Sequence, residues 1–253
     1  MKHLILAAAA LLALSAGAQA QDTVRLGSEG AYPPYNYVDE AGKLGGFDID
    51  VGNEICKRAG LTCEWVVNEW DTIIPNLIAG NYDAILAGMS ITDERKKTIA
   101  FTQDYFPPDP SAFVAATGKN LDLENPSGLR FGAQGATIQA AWLEQNVKAN
   151  NTVLSYETPD QALADLNAGN LDAILADKSY LQETVAGSSG ALELTGPEIE
   201  IGGGVGIGMR QADTELTAKF DAALTAMKAD GTLDALITLY FPDREGGPFY
   251  TAE

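Results

Sequence analysis

A ten-residue segment occurs twice in this chain with only two differences. Residues 77–86 read LIAGNYDAIL and residues 166–175 read LNAGNLDAIL, so eight of the ten positions are identical. In each copy a glycine follows a helix-forming stretch and an apolar run follows an aspartate, which predicts a helix, a glycine stop and a buried strand. Because alternating helices and strands are typical of a parallel α/β sheet, we predict two α/β lobes, each containing one copy. Chance recurrence of a common helix–glycine–strand pattern is the alternative.

The residues around the two copies extend the same alternation. Apolar residues at Phe47, Val51 and Ile55 recur every four positions and mark one face of a helix, which Gly60 ends. Asp71 is predicted to N-cap the helix that leads into the first copy. The predicted strands are 23–27, 63–67, 83–86, 111–116, 129–133 and 172–176, and the other predicted helices are 47–59, 138–149, 159–168, 216–227 and 233–240.

Two segments interrupt this alternation and are candidates for crossings between the lobes. Pro107, Pro108 and Pro110 precede the strand predicted at 111–116, and residues 196–208 are rich in glycine. Two crossings make the first lobe discontinuous. We therefore predict a first lobe of residues 21–110 plus 205–253 and a second lobe of residues 111–204.

The first 20 residues have the features of a secretory signal peptide. A basic start precedes a short apolar run at 4–14, and Ala18-Gln19-Ala20 forms a small-residue cleavage site. The apolar run is about half the roughly 20 residues that a membrane span requires. We predict cleavage after Ala20 and export to the periplasm of a soluble chain that does not span the membrane.

Composition excludes several classes of function. The formal net charge of −19 disfavours nucleic acid and anionic lipid as partners, although the same charge is typical of a well-solvated surface. The only histidine is His3, within the predicted signal peptide, so the mature chain lacks a histidine for a catalytic triad or a zinc site. In an oxidising compartment Cys56 and Cys63 most simply form a disulfide, and two buried thiols are the alternative. No cofactor or metal is expected.

The two copies are followed by different polar residues at the carboxyl ends of their strands, where ligands bind in open α/β sheets. After the first copy, Gly88 permits close backbone approach, Ser90 offers a hydroxyl and Arg95 offers a fork that matches a carboxylate. After the second copy, Asp177 offers a carboxylate that suits an ammonium group. Arg95 could instead belong to a solvated charged helix start, and Asp177 could be an N-cap. Taken together, the two strand ends suggest a ligand with a carboxylate and an ammonium, an α-amino acid.

These residues lie within a wider family resemblance over residues 23–241. The chain resembles the periplasmic solute-binding proteins of the polar amino-acid family, and within it the lysine/arginine/ornithine- and histidine-binding group. The pair Cys56 and Cys63 also resembles the disulfide of that group. The segments that carry the resemblance are GFDID at 46–50, IPNL at 74–77, DAI at 83–85, SITDER at 90–95, IAFT at 99–102 and ADGT at 229–232.

The resemblance implies a two-lobed α/β fold, the Venus-flytrap fold of periplasmic binding proteins, with two crossover strands at the hinge. It implies that Arg95 and Ser90, helped by the backbone of Gly88, hold the ligand α-carboxylate and that Asp177 holds the α-ammonium. Ala87 stands where a serine is frequent, which removes one side-chain contact.

The resemblance also implies a second-lobe contact at a helix start. Thr137, Ile138 and Gln139 occupy the positions whose backbone amides would bind the ligand carboxylate. Ile138 stands where a second threonine is common, so a hydroxyl contact at that position is not expected.

The ligand side chain would meet two aromatic residues and an acid. By resemblance, Tyr32 and Trp70 sandwich the side chain, and Glu29 meets its distal end. Stacking and charge together favour a cationic side chain, although an acid could also accept a hydrogen bond from an amide such as that of glutamine.

The sequence therefore predicts a monomeric, non-enzymatic receptor that closes over a polar, cationic L-amino acid and delivers it to an inner-membrane ABC permease. Exported cyclohexadienyl dehydratases resemble this fold and use carboxylates, so an arogenate or prephenate dehydratase is the alternative. A sensor or docking module is a further alternative. Such modules are usually fused to a membrane span or a kinase, and the sequence shows neither.

Overall fold

The computed structural model describes residues 23–251. The predicted signal peptide and its cleavage site lie outside the described residues. The strands are β1 Val24–Ser28, β2 Ala31–Tyr32, β3 Asn36–Val38, β4 Leu44–Gly45, β5 Cys63–Val67, β6 Ala84–Ile85, β7 Ala100–Phe106, β8 Ser111–Ala116, β9 Arg130–Gln134, β10 Thr152–Tyr156, β11 Ala173–Asp177, β12 Leu192–Ile199 and β13 Val205–Met209. The helices are α1 Phe47–Ala59, α2 Trp70–Ile78, α3 Asp93–Lys96, α4 Ile138–Asn146, α5 Pro159–Asn167, α6 Lys178–Gly187, α7 Thr214–Ala229 and α8 Thr232–Tyr240, with a 3-10 helix at Lys148–Asn150.

The first lobe is built on a five-stranded sheet with the order β5-β1-β6-β13-β7. β1 pairs in parallel with β5 and β6, whereas β13 is antiparallel to β6 and β7. Helices α1, α7 and α8 cover one face, where Phe47, Ile55, Phe220 and Leu224 are fully buried. Helix α2 covers the other face. A small sheet, β2-β3-β4, lies beside this lobe.

The second lobe repeats the plan with the order β10-β9-β11-β8-β12. β9 pairs in parallel with β10 and β11, and β8 is antiparallel to β11 and β12. The chain passes from the first sheet to the second between β7 and β8, and returns between β12 and β13. The two-lobed α/β fold is therefore confirmed, while the predicted lobe boundaries at 110/111 and 204/205 stay predictions.

The predicted elements are present, most of them with ends shifted by one or two residues, and two helices differ more clearly. Helix α2 begins at Trp70 with Glu69 as its N-cap residue, so the predicted N-cap at Asp71 is wrong. The backbone amide of Thr72 already bonds the carbonyl of Glu69 at 3.2 Å, which closes the first turn earlier. The helix predicted at 138–149 ends at Asn146, and the chain then tightens into the 3-10 turn, where Asn151 donates to the carbonyl of Val147 at 2.7 Å.

Cys56 and Cys63 form a disulfide that joins the last turns of α1 to the start of β5. This confirms the pairing that the sequence predicted. Within residues 23–251, none of the helices combines the length and the apolar character needed to span a membrane.

Candidate ligand-binding site

A cavity of about 310 Å³, open solvent included, lies between the two lobes at the carboxyl ends of their strands. The structure brings all ten predicted site residues to its wall, together with two more. The lining residues are Glu29, Tyr32, Trp70, Ala87, Gly88, Ser90 and Arg95 from the first lobe and Gln134, Thr137, Ile138, Gln139 and Asp177 from the second.

Arg95 is held in place by the short helix α3. Thr92 caps this helix, and its hydroxyl oxygen accepts from the backbone amide of Arg95 at 3.1 Å. The guanidinium donates to the carbonyl of Ser90 at 2.9 Å and lies 5.3 Å from the centroid of the Trp70 ring. Burial lowers the pKa of Arg95 to about 10, so the side chain stays positively charged at neutral pH. The first lobe therefore presents a cation to the cavity.

Asp177 occupies the end of β11, across the cavity from Arg95. Its carboxylate accepts from the hydroxyl of Tyr32 at 2.8 Å and from the side-chain amide of Gln139 at 2.9 Å. Asp177 is the N-cap residue of α6, but its side chain makes no capping hydrogen bond to that helix. Burial first, and then the charge of Asp109, raises the pKa of Asp177 to about 7. The second lobe thus presents a carboxyl group whose ionised form would be favoured by a cationic partner.

The start of α4 supplies the other second-lobe residues. Thr137 is its N-cap, and the Thr137 hydroxyl accepts from the backbone amide of Ala140 at 3.1 Å. The side chain of Gln139 is buried and donates to Ser111 at 3.0 Å as well as to Asp177. Gln139 therefore holds Asp177 through its side chain, a contact that the sequence analysis did not anticipate.

The two predicted aromatic residues differ in their surroundings. Tyr32 stacks on Tyr180 of the second lobe, with ring centroids 4.2 Å apart and an interplanar angle of 10°. Trp70 is 8% exposed, and its indole Nε1 is buried without a hydrogen-bond partner among the described residues. Tyr32 therefore contacts both lobes, whereas Trp70 forms part of the first-lobe wall.

Glu29 and Gln134 meet across the lobes at another part of the wall. The side-chain amide of Gln134 donates to the Glu29 carboxylate and also to the carbonyl of Glu157 at 3.2 Å. Burial raises the pKa of Glu29 to about 7 against the opposing effect of Gln134, and the charges of Asp71 and Asp160 raise it further.

Sequence reasoning missed Gln134 as a site residue. Gln134 is the last residue of β9, just as Asp177 is the last residue of β11. The rule that ligands bind beyond the carboxyl ends of parallel strands could have found Gln134, because β9 was itself among the predicted strands.

Four hydrogen bonds join the lobes around the cavity. The Tyr32 hydroxyl donates to the Asp177 carboxylate and accepts from the Asp177 backbone amide at 3.2 Å. Gln134 donates to Glu29, and the Arg95 guanidinium donates to the backbone carbonyl of Ala136 at 3.3 Å. Among residues 23–251 there is no group of three or more histidine, cysteine or acidic side chains arranged to hold a metal ion.

Residues 24–243 match the model of the bacterial extracellular solute-binding proteins, family 3. The chain belongs to this family. It is 38% identical to the L-arginine-binding protein of Pseudomonas aeruginosa, over 95% of this chain and 97% of the relative. It is 36% identical to the lysine/arginine/ornithine-binding periplasmic protein of Escherichia coli, also over 95% of this chain and 97% of the relative. Both relatives are amino-acid-binding proteins.

Solved structures of this family share the fold. A periplasmic His/Glu/Gln/Arg/opine family-binding protein from Silicibacter pomeroyi, solved in complex with lysine, is 50% identical, with a TM-score of 0.83 over 88% of this chain and 99% of that one. An ancestral amino-acid-binding protein described as a precursor of cyclohexadienyl dehydratase is 26% identical, with a TM-score of 0.77 over 87% of this chain and 95% of that one. A protein that shares this fold is thus described as the precursor of an enzyme.

Proposed function

We propose that this chain is a periplasmic receptor that captures a cationic L-amino acid between its lobes and delivers it to an ABC permease, without catalysing a reaction. The observation that carries the proposal is the charge arrangement of the cavity. Arg95 lies on the first-lobe side and Asp177 on the second-lobe side. A ligand with a carboxylate and an ammonium would pair with both, so it would bind best when the lobes are together.

The proposal gives each predicted residue a role. Arg95, Ser90 and Gly88 would hold the α-carboxylate with the start of α4, where Thr137, Ile138 and Gln139 lie. Asp177 would hold the α-ammonium. Tyr32 and Trp70 would contact the ligand side chain.

A cationic ligand is favoured by the buried carboxyl of Glu29. That group has a pKa near 7, raised chiefly by burial, so a nearby positive charge would favour its ionised form. The names of the relatives point the same way, because lysine, arginine and ornithine all carry a cationic side chain.

The energetics are sufficient for a transport receptor. Micromolar affinity requires about −8 kcal/mol. Hydrogen bonds to charged groups contribute about 1.5–3 kcal/mol each, so a few at each end of the zwitterion are enough after the costs of closure and lost ligand freedom.

The test is a thermal-shift screen of the mature protein, denatured and refolded to remove carried ligand, against the twenty L-amino acids, ornithine, citrulline and octopine. A ligand at a thousand times its Kd adds about 4 kcal/mol. That corresponds to a rise in Tm of about 8–16 °C for a chain of this size. A large shift with arginine, lysine or ornithine supports the proposal. Shifts with neutral or acidic ligands alone would keep the receptor and remove the role of Glu29.

Glu29→Gln is the matched variant for the ligand class. It keeps a hydrogen-bonding group of the same shape and removes the charge, so we expect it to change the ranking among amino acids rather than abolish binding. Loss of binding for all amino acids equally would place Glu29 outside the side-chain subsite.

The absence of catalysis is tested directly by incubating the protein with arogenate and prephenate. Turnover would replace the receptor with the dehydratase alternative. Size-exclusion chromatography tests the proposed monomer, and mass spectrometry of the exported protein tests cleavage after Ala20.

A further inference from the structure

The GFDID segment places two aspartates in the first turn of α1, and their environments differ. Asp48 is fully buried, whereas Asp50 is half-buried and accepts from the hydroxyl of Tyr240 at 2.6 Å. A carboxyl group inside a core loses several kcal/mol of hydration, so it is retained only where its hydrogen bonds have a use.

Two side chains donate to the Asp48 carboxyl. Oδ1 accepts from the hydroxyl of Tyr105 at 2.7 Å, and Oδ2 accepts from the side-chain amide of Asn36 at 2.8 Å. The backbone amide of Gly88 also faces the carboxyl. These three donors favour the ionised form, but burial outweighs them and raises the pKa of Asp48 to about 7.

Two of these donors lead directly to the cavity wall. Gly88 lines the cavity itself. Asn36 uses its other side-chain atom to accept from the backbone amide of Gly30 at 2.7 Å, so it connects Asp48 to the residue that follows Glu29. Asp48 therefore faces the loop 87–90 at the Gly88 amide and is linked by two hydrogen bonds to the loop 29–32.

We propose that Asp48 is a positioning residue that holds these two first-lobe loops in one fixed arrangement and so sets the geometry of the ligand contacts they carry. The part of this proposal that concerns ligand contacts rests on the proposed function. The arrangement of the loops can be measured in the ligand-free protein. The Asp48 side chain does not line the cavity, so it acts on the ligand contacts only through Gly88 and Asn36.

The chemistry of the position explains why a carboxylate is suited to it. An ionised carboxylate has two acceptor oxygens and no donor, so it can accept from all three groups at once. An asparagine has one acceptor oxygen and presents an amide donor in place of the other. If the oxygen stays on Asn36, the Tyr105 hydroxyl can rotate to accept from the new amide, but the backbone amide of Gly88 cannot. If the new amide faces Asn36 instead, Asn36 must release Gly30. Either orientation loses a contact with a loop, so Asp48→Asn should loosen the loops without leaving a large cavity.

Asp50→Asn is the matched control. It removes a carboxylate from the same turn of the same helix and also loses a tyrosine partner, but its contact with Tyr240 does not lead to the cavity. If Asp48 served only to stabilise α1, the Asp48→Asn and Asp50→Asn variants would behave alike.

The experiment compares wild type, Asp48→Asn and Asp50→Asn by amide hydrogen exchange without ligand and by calorimetry with L-arginine and L-lysine. We expect exchange at 29–32 and 87–90 to be about three-fold or more faster in Asp48→Asn alone. We expect its Kd to rise about ten-fold, by the same factor for both amino acids, while Asp50→Asn stays within about two-fold. If Asp48→Asn matches Asp50→Asn in both measurements, the proposal is wrong.

The two proposals fail in different ways. If wild type binds neither amino acid, the cationic receptor is wrong, and the exchange comparison still decides the role of Asp48. If Asp48→Asn does not fold, Tyr105→Phe replaces it, because that change removes one donor and leaves Asn36 and Gly30 in place. Exchange in both loops should then be about two-fold faster, and unchanged exchange would overturn the proposal.

Discussion

In both lobes an aspartate just before a central strand binds an arginine on the neighbouring strand. In the first lobe, Asp83 accepts from the backbone amide, Nε and Nη2 of Arg25 at 2.9, 3.2 and 3.1 Å. In the second lobe, Asp172 accepts from the same three groups of Arg130 at 2.9, 3.0 and 2.9 Å. The repeated segment therefore supplies the same device twice, a bidentate pair that fixes the register of two parallel strands.

Tyr82 in the first copy and Leu171 in the second occupy one of the two positions that differ, and both pack in the same way. A Cβ on Gly27 would lie 2.7 Å from the ring of Tyr82, and a Cβ on Gly132 would lie 2.5 Å from Leu171. Tyr82 and Leu171 therefore each pack over a glycine of the neighbouring strand. The side chain changes, but the packing arrangement is kept.

The lobes diverge immediately after the copies. β6 ends at Ile85, and the chain continues as an irregular loop to Ser90. β11 continues to Asp177, from which α6 begins. The comparison shows that the repeated residues build the framework, while the residues that follow them supply the different charges of the two cavity walls.

The largest effect on ligand affinity is expected at Asp177, which ends β11, the strand that begins just after the framework residue Asp172. Asp177→Asn should raise the Kd for amino acids by about 100-fold or more, because the ligand ammonium loses its charged partner in a buried site. Asp172→Asn, immediately before the same strand, should leave the Kd within about two-fold. Calorimetry with both variants checks this, and Arg95→Ala should resemble Asp177→Asn. Normal binding by Asp177→Asn would show that the assigned ligand orientation is wrong.

The second difference between the lobes is covalent. The disulfide lies in the first lobe, and the sequence contains no cysteine in the second. Replacing both Cys56 and Cys63 with serine should lower the free energy of unfolding by about 2–3 kcal/mol. The Kd should stay within about two-fold, because neither cysteine lines the cavity. Urea unfolding followed by tryptophan fluorescence measures the free energy of unfolding. A large change in Kd would show that the disulfide also affects the geometry of the site.

The framework pairs themselves should differ modestly. Asp83 also binds Arg210, the residue after β13, at 2.9 Å, whereas Asp172 has only a more distant second cation, Lys119 at 3.7 Å. We expect Asp83→Asn to cost about 2 kcal/mol and Asp172→Asn about 1 kcal/mol, because the first change releases two half-buried arginines. Equal losses in urea unfolding would mean that Arg210 adds nothing to the pair.

The framework was more predictable from sequence than the site. Helix α1 was placed at its observed bounds because its apolar residues recur at Phe47, Val51 and Ile55 and because Gly60 ends it in a left-handed conformation. The start of α2 was misplaced, since the choice between Glu69 and Asp71 depends on backbone bonds that a residue pattern does not encode.

Within the site, position along a strand was a better guide than residue type. The rule that ligands bind beyond the carboxyl ends of strands identifies Asp177 and also Gln134. Gln134 was missed because the sequence analysis considered mainly charged and aromatic residues. The contact between Gln134 and Glu29 joins residues 105 positions apart, so it depends on how the two lobes meet. The roles of all these residues toward a ligand stay predictions until binding is measured.

The prediction that most directly separates framework from site concerns the pH dependence of stability. Burial raises the pKa of both Glu29 and Asp177 to about 7. A carboxyl whose pKa is higher in the folded state than its unfolded value of about 4 binds its proton more tightly when folded. Its contribution to stability is complete below about pH 4 and is lost as the pH rises to about 7.

The framework carboxyls have the opposite sign. Burial opposes ionisation of Asp83, but the hydrogen bonds from Arg25 and Arg210 outweigh it and lower its pKa, and the bond from Arg130 lowers the pKa of Asp172. Their contribution is present above the unfolded pKa and is lost as the pH falls through the folded one.

Thermal unfolding of ligand-free protein between pH 4 and 7 measures the difference. Relative to wild type, Glu29→Gln and Asp177→Asn should gain stability as the pH rises, by up to about 1.4 kcal/mol for each pH unit. Asp83→Asn and Asp172→Asn should change little relative to wild type in this range, because the contribution of those two carboxylates is lost only below about pH 4. Binding provides the complementary measurement, because an ionised Asp177 is needed for the ligand ammonium, so affinity should increase as the pH rises from about 5 to 7. Parallel pH profiles for all four variants would contradict the division between a framework that is charged in the folded state and a site that becomes charged for its ligand.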